Sequence, residues 1–412
     1  MIEFRYYFFL LLVSNIFQIN CIKYEAILED QYNYSYPYNS STTDILFGNI
    51  KFFKKDKNDF IFRNFPKRNK ENNFNTFEKK IENKFTQWPD KNNFSSIIDF
   101  EFDGDNNIYL LDEGNNEGSP IFLYKYDLNG EKKEEYNFLN GSYLLNNFVL
   151  DKINNYVYIP YYNYSSEKYG ILIRKLKDKE NYSYKIIDDS LFIYDKKYNF
   201  ANKLFNNYSK IINAALSCDG KYLLFCRLSS KMIYSIKTKK LRDIKDLIKI
   251  NDVNVAYKDD ASSSLIYSNM GNLYLTGIER NAIYLANQIE NNLAVFDFKI
   301  PEKCVIENIA NETEYDNIGA TKLFISDGHL YINYKKLMCL DKDNICNIAT
   351  QIYSIKIGHD ESYIYKCAGL KYNWKIIAYI FWGVFIVIVI LVLLFVFIGN
   401  DQDKRTNIKK NK

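Results

Sequence analysis

Histidine is scarce in this chain of 412 residues, with only His329 and His359 present, and neither falls into Cys/His metal-ligand spacing. A zinc site needs closely spaced Cys and His ligands, and a nucleophile–histidine–acid triad needs a histidine as its base, so the sequence assigns neither a metal site nor a catalytic residue. It contains no CxxC pair, Gly-rich phosphate loop, Gly-x-Ser-x-Gly elbow or paired catalytic carboxylate motif, and no cofactor is expected. The seven cysteines suit disulfides in an oxidising compartment; Cys339 and Cys346, closing a short polar loop, are the candidate pair. Asp103, Asp219 and Asp327 each precede a glycine and are expected to form hairpin turns, not to do chemistry.

Two kinds of modification or targeting signal are written in the chain. Eight Asn-x-Ser/Thr sequons occur, at Asn33, Asn39, Asn93, Asn140, Asn163, Asn181, Asn207 and Asn311, as expected of a glycosylated luminal surface. The carboxyl end places Lys409 and Lys410 four and three residues from the terminus, resembling the dilysine retrieval signal of endoplasmic-reticulum membrane proteins and implying coat recognition.

Those signals require a membrane topology, and the hydropathy supplies one. Residues 376–398 run without a charged side chain, about 34 Å of helix at the standard rise, long enough to span a bilayer once. Tyr372 and Trp374 precede this segment, while Lys404, Arg405, Lys409, Lys410 and Lys412 follow it, which places the 399–412 tail in the cytoplasm and the body on the other face. At the N-terminus, Arg5 precedes an apolar stretch of signal-peptide length, so 1–21 is expected to be a signal peptide, either cleaved near Cys21 or kept as an anchor. The protein is thus expected in secretory-pathway membranes, in the endoplasmic reticulum and Golgi or at the cell surface. The net charge of +4 is small and basic residues alternate with acids along the body, which leaves no footprint for nucleic acid.

The body between the ends is rich in the residues of strands, with 37 Tyr and 30 Phe against 6 Pro. Pairs or trios of alternating strands recur around turns near 103, 153, 219, 270 and 327, with an incomplete sixth copy in 50–63. Spacings of this size match a four-stranded blade with its loops, so the expected fold is all-β, a six-bladed β-propeller over 50–370 preceded by an N-terminal extension, 22–49; a β-sandwich is the rival. Only 241–252 reads as a connecting loop with a short helix. The Tyr-rich stretch 156–169 either packs within strands or offers an aromatic surface to a partner.

Several of these segments resemble the major royal jelly protein/yellow family. The closest runs from Ala215 to Asp243 (ALSCDGKYLLFCRLSSKMIYSIKTKKLRD); also similar are Asp112-Glu113-Gly114, Leu144 to Asp151 (LLNNFVLD), Gly271 to Tyr274, Glu279 to Ile283, and Asp327 to Tyr331. The resemblance extends from about residue 50 to 357 and implies a six-bladed propeller whose strand beginnings face a central tunnel. Where the family has tunnel acids this chain carries Asn147, Ser263 and Thr321, which would leave the tunnel poorly equipped for a divalent metal or an acid/base pair. The polar residues expected near the upper tunnel are Asp112, Glu113, Asn146, Asn147, Asp260, Ser263, Glu279, Arg280 and Thr321. The expected function is therefore non-enzymatic binding of a small molecule or protein; the alternative is a propeller enzyme, dopachrome-isomerase-like or calcium-dependent lactonase-like.

Overall fold

The structure is a computed structural model that describes residues 27–37, 50–55, 58–64, 77–81, 84–89, 94–114, 119–176, 182–192, 198–200, 203–205, 210–228, 230–244, 247–257, 261–277, 282–287, 316–340 and 345–357. The chain divides into two compact units, Met1–Cys367 and Ala368–Lys412. Among the described residues no helix is long and apolar enough to cross a membrane. The apolar run 376–398, the leader and the dilysine tail lie outside the described residues.

The first unit is built almost wholly from antiparallel sheets. Strand β1 (Ile27–Pro37) is followed by β2 (Ile50–Lys55), β3 (Asn58–Asn64), β4 (Phe77–Ile81) and β5 (Lys84–Gln87), which form sheet I in that order. Sheet II is β6 (Ile97–Phe102), β7 (Asn107–Asp112), β8 (Pro120–Asp127) and β9 (Lys132–Asn140). In sheet III, β10 (Tyr143–Leu145) and β11 (Val149–Asp151) share one side of β12 (Tyr156–Asn163), with β13 (Lys168–Lys175) and β14 (Tyr182–Ile187) beyond it. A small pair, β15 (Tyr198–Phe200) and β16 (Lys203–Phe205), precedes sheet IV. That sheet holds β17 (Ile212–Leu216), β18 (Tyr222–Arg227) and β19 (Met232–Lys237), which is followed by helix α1 (Thr238–Asp243). After α1, β20 (Leu247–Ile248) joins the outer edge of sheet III in parallel, and β21 (Asn254–Tyr257) closes sheet IV. Sheet V is β22 (Leu265–Tyr267), β23 (Asn272–Gly277) and β24 (Ala282–Asn287); sheet VI is β25 (Asp316–Ser326), β26 (His329–Leu340) and β27 (Ile345–Lys356), with β1 as its outer strand.

Two expectations change. The copy expected to be incomplete at 50–63 is a full four-stranded sheet, because β4 and β5 lie beyond the segment whose alternation was legible. The short helix expected within 241–252 begins earlier, at Thr238, and the remainder is a strand and a 3-10 turn. The three Asp-Gly hairpins form as expected. The Asp103 carboxylate accepts hydrogen bonds from the backbone N–H of Asp105 and Asn107 at 2.8 and 3.1 Å. Asp327 and Gly328 both take positive φ, 48° and 74°, the geometry of the tightest hairpin turn.

The apolar core is divided among consecutive sheets. One cluster joins Phe62 and Phe77 of sheet I to Phe100 and Phe102 of sheet II, a second joins sheets II and III, and others join III to IV, IV to V, and V to VI. Strands β2 and β25 also meet, bringing sheet VI back to sheet I. This succession is propeller-like, and it differs from a sandwich, whose core is a single layer between two sheets. The Tyr-rich stretch is packing: Tyr158, Tyr161, Tyr162 and Tyr169 are buried, and only Tyr164 is exposed. A polar link also ties sheet III to α1, for Arg242 donates to the Tyr158 hydroxyl at 2.6 Å and lies 3.7 Å from the fully buried Asp151 carboxylate.

Each sheet exposes two apolar faces, so its stability depends on its neighbours. Phe62 is fully buried and touches the rings of Phe77, Trp88 and Phe102. Phe62→Ala is expected to cost about 3–5 kcal/mol, read as a lower urea midpoint, whereas Tyr184→Ala at a half-exposed position should cost less than about 1 kcal/mol. Equal losses would show that the core does not lie between the sheets.

Candidate functional site

Six polar side chains, one from each sheet, line a single cavity: Lys51 on β2, Asp99 on β6, Asn147 just before β11, Asn213 on β17, Ser264 just before β22 and Lys322 on β25. All come from the edge strand that each sheet turns toward the cavity. Five of the six precede two apolar residues; at the sixth, Asp99, the pattern is Asp99-Phe100-Glu101, which adds a second carboxylate to the lining.

The ring exists because a strand edge carries unpaired backbone groups, and burying them without partners is costly. Five of the six meet backbone groups of another sheet, and Asn213 bonds the Asn146 side chain. Asn147 donates to the carbonyl of Ala214 at 2.7 Å and accepts from its N–H at 3.1 Å, joining sheets III and IV. Ser264 accepts from the N–H of Leu323 at 3.1 Å, joining V and VI. Asp99 accepts from the N–H of Phe148 at 3.4 Å, and Lys51 donates to the carbonyl of Phe100. Lys322 donates to the carbonyl of Asn146 at 2.9 Å, from sheet VI to sheet III.

Lys51, Asp99 and Lys322 are buried, and Glu101 is partly so. The Lys51 ammonium stands 2.6 Å from Glu101 and 3.3 Å from Asp99. Burial alone would lower the Lys51 pKa, but Asp99 and Glu101 outweigh it and hold it above the ordinary value. Burial pushes the Glu101 carboxyl up to about 7, with Lys51 pulling it down and Asp99 pushing it further up. Burial draws the Lys322 ammonium down to about 8, Asp99 and Glu101 opposing the shift and Lys51 adding to it. The Lys51 ammonium occupies the position between the two carboxylates that a divalent cation would need, so this carboxylate pair is already neutralised.

The cavity has room for about three waters or one small polar group. Two of its lining residues keep buried polar atoms with no hydrogen-bond partner among the described residues, Asn213 Nδ2 and the Tyr267 hydroxyl. The arrangement can therefore hold a compact polar ligand, and Glu101 is poised to exchange a proton near neutral pH.

Of the residues expected at the tunnel, the structure brings Asn147 to the cavity and places Asn146 beside it, where its side chain donates to Asn213. Asp112 is not part of the lining; its carboxylate is taken by the backbone N–H groups of Ser95, Ser96 and Gly114 at 2.8–3.0 Å. The backbone N–H of Glu113 donates to the Ser96 carbonyl in the same loop. Ser263 bonds Thr276 at 2.9 Å, and its neighbour Ser264 supplies the lining group. Thr321 falls beside a register shift in β25, and the next residue, Lys322, lines the cavity. Asp260, Glu279 and Arg280 lie outside the described residues. Where Asn147, Ser263 and Thr321 stand in place of the family's acids, the cavity still carries two carboxylates, Asp99 and Glu101, from a strand that motif alignment passed over. The signal was present in Asp99-Phe100-Glu101, where carboxylates alternate with an aromatic on a strand buried on both faces.

Cys339 and Cys346 are direct Cα partners on β26 and β27, as their proposed bridge requires. Cys218 is disulfide-bonded, and Cys226 is buried. Among the sequons, Asn33 lies on β1, Asn140 is exposed at the end of β9 and Asn163 is half-buried at the end of β12; Asn39, Asn93, Asn181, Asn207 and Asn311 lie outside the described residues.

The pKa directions set a pH dependence. A carboxyl raised on folding contributes stability that is whole below its ordinary 4.5 and is lost as pH rises through about 7, so Glu101→Gln should flatten the decline seen for the native chain over that window in urea unfolding at several pH values. Lys322 has the opposite sign; its contribution is present above 10.5 and is lost as pH falls through about 8. Lys322→Met is thus expected to raise the unfolding free energy at pH 7 by on the order of 1–3 kcal/mol. A native decline that persists in Glu101→Gln would assign it to another group.

No protein-family model matches the sequence, and no curated protein matches it. The resemblance to the major royal jelly protein/yellow family is therefore not carried by either comparison. Among solved structures, a luciferin-regenerating enzyme aligns at 10% identity over 74% of this chain and 90% of its own, with a TM-score of 0.41. Virginiamycin B lyase from Staphylococcus aureus aligns at 12% identity over 78% and 99%, with a TM-score of 0.39. Regucalcin, a calcium-binding protein from Agrobacterium tumefaciens, aligns at 11% identity over 63% and 76%, with a TM-score of 0.33. Likenesses this distant carry no inference about activity.

Proposed function

We propose that this chain is a membrane-anchored, yellow-like six-bladed propeller that binds a small molecule in its axial cavity on the luminal or extracellular side of a secretory-pathway membrane. The observation that carries the reading is the convergence of six edge strands on one cavity whose lining keeps charged groups and unused polar atoms. A ring that only stitched strand edges together would need neutral amides and hydroxyls, as Asn147 and Ser264 provide. Two buried lysines, a buried Asp99 and a partly buried Glu101 exceed that need, and taking charge out of water is costly unless it is paired and hydrogen-bonded. The uncharged 376–398 segment and the basic tail after it support the anchored topology, and the sequons support a luminal body.

A catalytic reading is favoured by one observation, the Glu101 carboxyl held near neutrality beside Lys322, which would let it act as an acid or base. The calcium-dependent form of that reading is disfavoured, because Lys51 fills the space between the carboxylates.

In thermal-shift measurements on the full chain in detergent, at least one small polar compound should stabilise the protein saturably, by about 2.7 kcal/mol at a hundred times its Kd. Turnover of a lactone or an isomerisable substrate, lost in Glu101→Gln, would replace binding with catalysis. Glycosidase treatment should increase mobility on a denaturing gel, and an unchanged band together with a protease-protected tail would reverse the topology. Exchanging Lys409 and Lys410 for Ser should move the protein to the cell surface; an unaltered location would remove the retrieval signal.

A further inference from the structure

We propose that the axial cavity is a carboxylate site, taking a small organic acid whose carboxylate is held between the Lys322 ammonium and the Asn213 side-chain amide. The inference rests on the reading of this cavity as a ligand pocket and specifies what the pocket accepts.

Donor accounting leads to it. An ammonium has three N–H donors, and Lys322 uses one among the described residues, on the Asn146 carbonyl at 2.9 Å. Lys322 is 7% exposed, so little of it faces bulk water. Asn213 is 1% exposed; its Oδ1 accepts from Asn146, while its Nδ2, with two donors, has no partner among the described residues. Asn146 therefore contacts both groups, one by its carbonyl and one by its side chain, and both Lys322 and Asn213 line the cavity. Buried donors without acceptors are penalised. A carboxylate presents two oxygens that accept several hydrogen bonds at once, which matches this surplus.

Other ligand classes fit less well. An amine or a divalent cation would seek Asp99 and Glu101, whose charge already goes to Lys51 at 3.3 and 2.6 Å. A polyol would bring donors of its own to a region already in excess of donors. Room for about three waters suits a carboxylate with one or two carbons behind it.

The charges add a second feature. With Lys51, Lys322, Asp99 and Glu101 all ionised the cluster is neutral, so an entering carboxylate leaves one negative charge in excess. Glu101 can remove it by taking up a proton, since burial already holds its carboxyl near 7. The groups facing it are Asp99 on its own strand, Lys51 on β2 and Lys322 on β25. Binding should therefore tighten as pH falls through that value and should consume a proton.

The test is isothermal titration of the full-length protein in detergent with propionate, and with methylamine, glycerol and calcium chloride as contrasts, in buffers of different ionisation enthalpy. Propionate should bind saturably, more tightly at about pH 6 than at about pH 8, with proton uptake visible as a buffer-dependent enthalpy. Lys322→Met and Asn213→Asp, each confirmed as folded by circular dichroism, should weaken it by at least about tenfold. Propionate binding that is unchanged in both variants would overturn the assignment. Methylamine or glycerol binding that is sensitive to Lys322→Met, with none by propionate, would overturn the carboxylate class while leaving the pocket. Absence of binding by every probe would overturn both the class and the pocket.

Discussion

The structure depends on how the inner edges of its sheets are closed. A sheet that ends in a strand with a free edge leaves one row of N–H and C=O groups without partners, and here those edges face a shared cavity instead of solvent. The chain meets the constraint with one polar side chain per sheet. Asn147 brackets Ala214 on the next sheet, Ser264 caps the amide of Leu323, and Lys51 bonds the carbonyl of Phe100. Hydrophobic clusters hold consecutive sheets face to face, and the polar ring determines what remains in the middle.

At this site the groups that close the strand edges are the same ones that line the cavity. Of the neutral members, Asn147 and Ser264 spend their bonds on backbone, whereas Asn213 bonds the Asn146 side chain and keeps its Nδ2 without a partner among the described residues. The lysines exceed what the edges need, because a lysine carries three donors where a strand edge asks for one. Lys322 is the clearest case, for it reaches a carbonyl of another sheet and has donors to spare in a site where burial weakens its charge. Burial opposes its charge, while Asp99 and Glu101 favour it.

Much of the fold could be read before any coordinates. The Asp-Gly turns at 103, 219 and 327 mark hairpins because aspartate and glycine tolerate the turn conformations, and alternation around them marks the flanking strands. The outer strands were less legible. Strands such as β4 and β9 carry several lysines and glutamates, which weakens the apolar signal on which strand reading relies. The candidate site was legible only at Asn146 and Asn147. Motif alignment named Ser263 and Thr321, each one residue away from the Ser264 and Lys322 that line the cavity, and a one-residue slip along a strand turns a side chain to the opposite face.

By itself, the sequence determined the class of the fold, the hairpin positions and an uncharged segment long enough to span a bilayer, because these follow from local chemistry: turn propensity, two-residue alternation and hydropathy. Only the tertiary structure decided that Lys51, Asp99, Glu101 and Lys322, separated by up to 271 positions along the chain, meet in one buried cavity. A lysine on a strand reads as solvent-facing until the register of that strand and the packing of its neighbours show where it points. The physical reason is that burial, and with it the shift of each charge, is a property of six edges brought together and of no single edge alone.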